Sequence, residues 1–221
     1  MAYSLVINSG VPNENTRHLL QRVDADVIAR QPDLVILMIG ANDTIESTDL
    51  VPLEEYRENL RKLVTKIKSI GTEVILLTLP LCYEPYLYTR HTPDSYGEFS
   101  PNNRIITANG FIHEVAAQTS CHVVDISYYF EKLGQVGENK MSLVMNVINS
   151  GDTDGVHPTA DGYRLIASLI HQYMSIKNIN FNKIICFGDS ITFGAKMEGQ
   201  GTVYGLSYPA QLRNLLNLHT I

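Results

Sequence analysis

Short apolar runs recur along this chain. Five stand out: Ser4–Asn8, Asp33–Ile39, Glu73–Leu79, Cys121–Ile126 and Lys183–Phe187. Each is rich in Val, Ile or Leu and bounded by turn residues, which predicts a strand. The runs are nearly continuous rather than alternating, as in parallel strands covered on both faces. Between them the apolar positions change to helical spacing. Leu53, Tyr56, Leu60, Leu63, Val64, Ile67 and Ile70 line one face, with Pro52 at the place of a first-turn proline and Gly71 where the helix should stop. Leu19, Leu20, Val23, Val27 and Ile28 predict another helix, ended before Pro32. Further helices are expected at Ile105–Val115, despite Gly110, around Tyr163–Tyr173, and at Tyr208–Asn217. The alternation predicts an open α/β sandwich with right-handed crossovers. Leu81–Asn103, with its tyrosines and prolines, and the polar Lys132–Asp152 fit neither pattern and read as long loops.

Composition narrows the class. The 221 residues are 44% hydrophobic and 18% charged, which is globular rather than disordered. This length reads as one domain over 1–221. The net charge of −6, with no basic stripe, argues against a nucleic-acid partner. The longest clean apolar run, Leu34–Ile39, is far short of the ~20 residues that span a bilayer. Met1–Ser4 is not a basic segment leading into an apolar one, so no export signal is expected. Cys82, Cys121 and Cys186 lack CxxC spacing and read as free thiols in a reducing, cytoplasmic setting.

Ligands of open α/β sheets bind outside the carboxyl ends of the strands. Those ends lead here into Ser9-Gly10, into Gly40-Ala41-Asn42-Asp43, and into Gly188-Asp189-Ser190. Asp154-Gly155-Val156-His157-Pro158 precedes the fourth helix. A serine hydroxyl is a weak nucleophile that needs an adjacent base. His157 can be that base, and Asp154, three residues earlier, can hold its tautomer. The backbone amides of Ser190 and Gly10 and the side-chain amide of Asn42 could supply oxyanion donors. Asp43 and Asp189 read as scaffold carboxylates, and Arg90 and His91 sit in a loop that either packs on the domain or meets substrate. No histidine or cysteine spacing fits a metal site, and no cofactor motif appears; the glycines after Ser190 lack the Gly-Lys-Ser/Thr of a P-loop.

These blocks together resemble the GDSL/SGNH hydrolase family of serine esterases and lipases. The resemblance covers nearly the whole chain outside the two long loops. It implies a three-layer α/β/α flavodoxin-like fold with a five-stranded parallel sheet. It also implies Ser190 as nucleophile, His157 and Asp154 as base and orienting acid, and Ser190, Gly10 and Asn42 as the oxyanion hole. Two departures stand out. Asn13 replaces a second glycine three residues after Gly10, and the serine block comes last instead of first. The chain thus resembles a circular permutant in which 183–217 supplies the family's usual first strand and helix. In that order the N-terminus is an interior cut point, so the missing export signal carries less weight. The implied activity is hydrolysis of small carboxylic esters, short-chain acyl esters or acetylated carbohydrates, through an acyl-enzyme and without metal or cofactor. The competing expectation is a non-catalytic flavodoxin-like module that binds a small molecule. Permutation also raises a homodimer in which Ser190 of one copy meets His157 of another.

Overall fold

A computed structural model describes residues 4–133, 136–179 and 181–218. Five strands, β1 (Leu5–Gly10), β2 (Leu34–Met38), β3 (Glu73–Leu77), β4 (His122–Val124) and β5 (Lys183–Gly188), form one all-parallel sheet in the order β1-β5-β2-β3-β4. The last strand in sequence therefore lies between the first two. Burial explains the continuous apolar runs: all five side chains of β2 are buried, as are Ile184–Phe187 of β5. Burying one such Val, Ile or Leu is worth roughly 1.5–3 kcal/mol relative to leaving it exposed.

Helices cover the sheet. α1 (Thr16–Asp26) packs on α3 (Leu53–Lys68), which packs on α5 (Pro101–Thr119); α7 (Ala160–Ile176) packs on α9 (Tyr208–Asn217). The short helices α2 (Ala41–Ile45), α4 (Glu84–Leu87), α6 (Ile126–Lys132) and α8 (Ser190–Phe193) lie in the connections. The helix starts follow from their caps. Asn15, Ser100, Thr159 and Ser207 each accept an amide of the first turn of α1, α5, α7 and α9. α3 has no side-chain cap, but it carries Glu54 and Glu55 in its first turn and Lys66 and Lys68 in its last, the charge order its dipole favours.

The pattern misplaces several boundaries for identifiable reasons. β4 is only three residues because Asp125 leaves the strand to cap α6, its Oδ1 accepting from Tyr128 N at 3.1 Å. β1 runs on to Gly10 because β5 pairs with it to the end, Gly10 opposite Gly188. The 81–103 stretch is a packed surface layer containing α4 and a 3-10 turn at Pro93–Tyr96. Tyr86 and Tyr96 are buried in it, and the Tyr96 hydroxyl donates to Ile45 O at 2.7 Å. In the 132–152 stretch, residues 134 and 135 lie outside the described residues. Beyond them the buried Asn146 amide donates to the carbonyls of Gly137 and Asn139, both at 2.9 Å, and Val144 bridges Pro158. That bridge ties the polar loop to the turn holding His157. Among the described residues no helix is long and apolar enough to cross a membrane.

Candidate active site

The carboxyl ends of β1, β5 and β2 lie side by side, with Gly188 facing Gly10 on one side and Met38 on the other. The chain turns sharply out of each. After β5, Asp189 caps α8 through Ile191 N at 2.9 Å, which presents Ser190 at the first position of that helix. After β2, Gly40 takes φ +132° against the Tyr56 ring, where a Cβ would come within 2.8 Å, and Asn42 follows in α2. Across from them the 154–158 turn brings in His157.

These segments enclose a cleft of about 360 Å³, lined among others by Asn13, Asn42, Ile45, Leu87, His157 and Ser190. His157 Nε2 lies 3.0 Å from Ser190 Oγ, and its Nδ1 lies 2.8 Å from Asp154 Oδ2. A carboxylate only accepts, so His157 Nδ1 carries the proton and Nε2 is left to accept from the serine hydroxyl. Asp154 is itself pinned, its Oδ1 accepting from Val156 N at 2.8 Å and His157 N at 2.7 Å. Burial would push its carboxyl up, but the bonds and charges of His157 and Lys196 outweigh burial and hold it well below the usual carboxylate range. Ser190 and His157 meet within one chain, so this pair needs no exchange between copies. A larger hollow of about 500 Å³, lined by Met141, Met145, Ile148 and Met197, holds none of the three.

Of the residues expected to supply oxyanion donors, one does not line the cleft. Asn42 lines the cleft, and its Nδ2 donates to Glu14 O at 2.7 Å, which fixes the side chain and leaves its second N–H unspent among the described residues. Gly10 does not serve the cleft: its N–H donates to Asn8 Oδ1 at 3.0 Å. A Cβ on Gly10 would come within 2.1 Å of Phe193 N, so glycine there allows β1 to abut α8 rather than to approach a reacting atom. Asn13 lines the cleft instead, in the left-handed region at φ +63°. The backbone N–H groups of Asn13 and Ser190 donate to no acceptor among the described residues. The sequence signal for Asn13 was its place three residues after Gly10, where the resembling family has glycine.

The carboxylates read as scaffold behave so. Asp43 is fully buried and accepts from Thr16 N at 3.1 Å and Thr16 Oγ1 at 2.5 Å, joining α2 to the start of α1. Asp189 is buried, and its Oδ2 has no partner among the described residues. Burial pushes Asp43 up to about 6 and Asp189 up to about 7. A carboxyl raised by folding stabilises the fold below its unfolded pKa, and that contribution is lost as pH rises through the folded value. Asp189→Asn is therefore expected to flatten the decline in folding stability between about pH 4 and pH 7, read by urea denaturation across that range. An unchanged slope would refute the assignment.

Three basic residues shape the site, and Arg22 and Lys196 do so without a sequence signal of their own, because each works on distant backbone or side chains. Arg22 donates to Ser9 O at 3.1 Å and Gly188 O at 2.9 Å, clamping the ends of β1 and β5 while lying 4.5 Å over the Phe187 ring. Arg90 donates to Thr153 O at 2.5 Å and Asp154 O at 2.7 Å, bracing the acid's backbone. Lys196 reaches Asp154 from the turn beyond α8. Arg90 and His91, left open by the sequence, both line the cleft, with His91 Nδ1 2.7 Å from Ser47 Oγ.

Fold and site together define a class: parallel α/β proteins that carry a Ser–His–Asp chain over the carboxyl edge of the sheet. Comparison with known proteins makes the class specific. The chain belongs to the GDSL-like lipase/acylhydrolase family, whose sequence pattern matches residues 2–165. An acetylxylan esterase of Geobacillus stearothermophilus is 30% identical over 173 residues, covering 73% of this chain and 68% of that protein. A GDSL esterase/lipase of Arabidopsis thaliana is 28% identical over 149 residues, covering 64% of this chain but only 54% of its own length. In structure, a lipase/acylhydrolase of Enterococcus faecalis aligns with TM-score 0.58 at 23% identity, covering 75% of this chain and 73% of that one, and supports the fold.

Proposed function

We propose that the protein is a serine esterase that cleaves small carboxylic esters through an acyl-enzyme. The carrying observation is the unbroken chain Ser190 Oγ–His157 Nε2 and His157 Nδ1–Asp154 Oδ2, at 3.0 and 2.8 Å. Ser190 Oγ attacks the ester carbonyl as its proton passes to His157 Nε2. The carbonyl oxygen gains the charge and is met by the N–H groups of Ser190 and Asn13 and by the Asn42 amide, with Asn13 taking the place expected for Gly10. Collapse breaks the bond to the alcohol, and the imidazolium returns its proton to the departing oxygen. Water then attacks the acyl-Ser190 by the same route and frees the acid. No step calls for a metal or cofactor. The same chain weighs against a purely binding module, for which a base aligned on a serine hydroxyl has no use.

An acetylated carbohydrate is the favoured substrate. Ala41, Ile45, Leu87 and Val156 offer a short apolar surface beside Ser190, and Glu46, Arg90, His91 and Asp152 offer a polar rim for a hydroxylated alcohol. The likeness to the acetylxylan esterase points the same way. The test is a panel of acetylated xylooligosaccharides with p-nitrophenyl acetate, butyrate and octanoate. Expected are turnover of the sugar acetates and kcat/KM falling from acetate to octanoate. Preference for octanoate would overturn the substrate reading.

The block order is read as a circular permutation of one domain. The family match ends at residue 165 and leaves out β5, Ser190 and α9. Yet β5 is paired on both sides near the middle of the sheet, and Thr192 Oγ1 and the Tyr208 hydroxyl lie 2.9 Å apart, tying α8 to α9. The turn entering β5 is held by Asp33 Oδ2, which accepts from Asn182 N at 3.1 Å and Lys183 N at 2.8 Å. A short connection between surface termini is the geometry that permits permutation without moving the core.

A further inference from the structure

The carboxylate of Asp154 has a second side-chain partner besides His157, the Lys196 ammonium. Its Oδ2 lies 2.6 Å from Lys196 Nζ as well as 2.8 Å from His157 Nδ1. The same ammonium lies 2.5 Å from Asp152 Oδ2. Lys196 is held for this reach. Its backbone sits at φ +65°, a region that residues with a Cβ rarely adopt, and its N–H donates to Gln200 Oε1 at 3.1 Å. Strained positions of this kind cluster at functional sites. The contact also joins the turn beyond Ser190 to the turn that holds His157, two segments far apart in the sequence.

We propose that Lys196 is a positioning residue that sets the basicity of His157 by sharing the Asp154 carboxylate, with Asp152 holding part of the ammonium away. The proposal rests on the esterase reading above. A bare carboxylate stabilises the imidazolium that forms as Ser190 gives up its proton. A cation on the same oxygen weakens that stabilisation, so His157 releases its proton, and becomes a competent base, at lower pH. Burial works against the charge of Lys196, but the two carboxylates outweigh it and hold the ammonium charged. The other charged or titratable groups around the pair are the Arg90 guanidinium on the Thr153 and Asp154 carbonyls, buried Asp189 and Tyr163, and Glu46 and His91 along the cleft. Among the described residues Lys196 and His157 alone place side-chain donors on the Asp154 carboxylate.

The test compares wild type with Lys196→Met, Lys196→Arg and Asp152→Asn. Two readouts are taken: the pH profile of kcat/KM for p-nitrophenyl acetate, and the titration of the His157 imidazole followed by NMR. Lys196→Met should move the acid limb of the profile and the NMR midpoint to higher pH. Lys196→Arg should restore both, and Asp152→Asn should move both down. Lys196 is 43% exposed, so these variants should fold, and a thermal melt checks it. A Lys196→Met profile lowered evenly at every pH with its midpoint unmoved would overturn the proposal, as would a downward shift. The NMR titration separates the two readings: it reports Lys196 acting on His157 even if Ser190-dependent hydrolysis is absent, a result that would sink the esterase reading alone.

Discussion

Ser190→Ala is expected to lower kcat for p-nitrophenyl acetate by roughly 10⁶-fold while leaving the fold in place. The magnitude follows from the geometry. Ser190 Oγ has one hydrogen-bonding partner among the described residues, His157 Nε2 at 3.0 Å, so deleting the hydroxyl removes the nucleophile and breaks no structural bond. The N-terminus of α8 is capped by Asp189 rather than Ser190, so the helix should survive. KM should change far less than kcat, because the cleft walls and the oxyanion donors remain. Measured kcat of wild type and variant, with mass spectrometry of the intact protein for an acyl adduct, decides the matter. Equal rates, or an adduct that persists in Ser190→Ala, would remove Ser190 from the reaction. Background hydrolysis in the oxyanion cleft sets the floor of the measurement.

The fold was legible wherever burial imposes a pattern along the chain. β2 and β5 are buried on both faces, so their sequence is apolar at every position and needs no context to recognise. α3 shows its buried stripe for the same reason. Illegible were elements whose limits depend on a single cap or a remote partner: Asp125 cutting β4 short, or Tyr96 docking its hydroxyl on Ile45 to order a proline-rich loop. The site divides likewise. Asp154 and His157 were readable as a pair because one turn fixes their spacing, and Ser190 because it directly follows a buried strand run. The oxyanion donor was placed at Gly10 because the sequence does not show that the Asn8 side chain folds back onto that amide. Lys196 and Arg22 were invisible as site residues, and Arg90 was left open between packing and substrate, because their partners lie on turns and strands that only the folded sheet brings together.

Asp154→Asn is expected to cost roughly 10⁴-fold in kcat, nearly all of it through His157. The wild-type carboxylate accepts from two backbone amides on Oδ1 and from His157 Nδ1 on Oδ2. An asparagine keeps the two backbone donors only by leaving its oxygen in the Oδ1 place, which turns the NH₂ toward the imidazole. The ring then offers its bare nitrogen at Nδ1 and carries hydrogen at Nε2, the wrong tautomer to take a proton from Ser190. Lys196 loses its acceptor in the same stroke and is left with Asp152. The loss should therefore appear as a fall of the plateau rate, whereas Lys196→Met shifts the pH at which the plateau is reached. Stability gives an independent reading. A carboxyl held below its usual range contributes stability above its unfolded pKa, and loses it as pH falls through the folded value. Asp154→Asn should be less stable than wild type at neutral pH, and the gap should close in acid, as followed by urea denaturation. A variant with near wild-type kcat would mean that Asp154 does not orient the base.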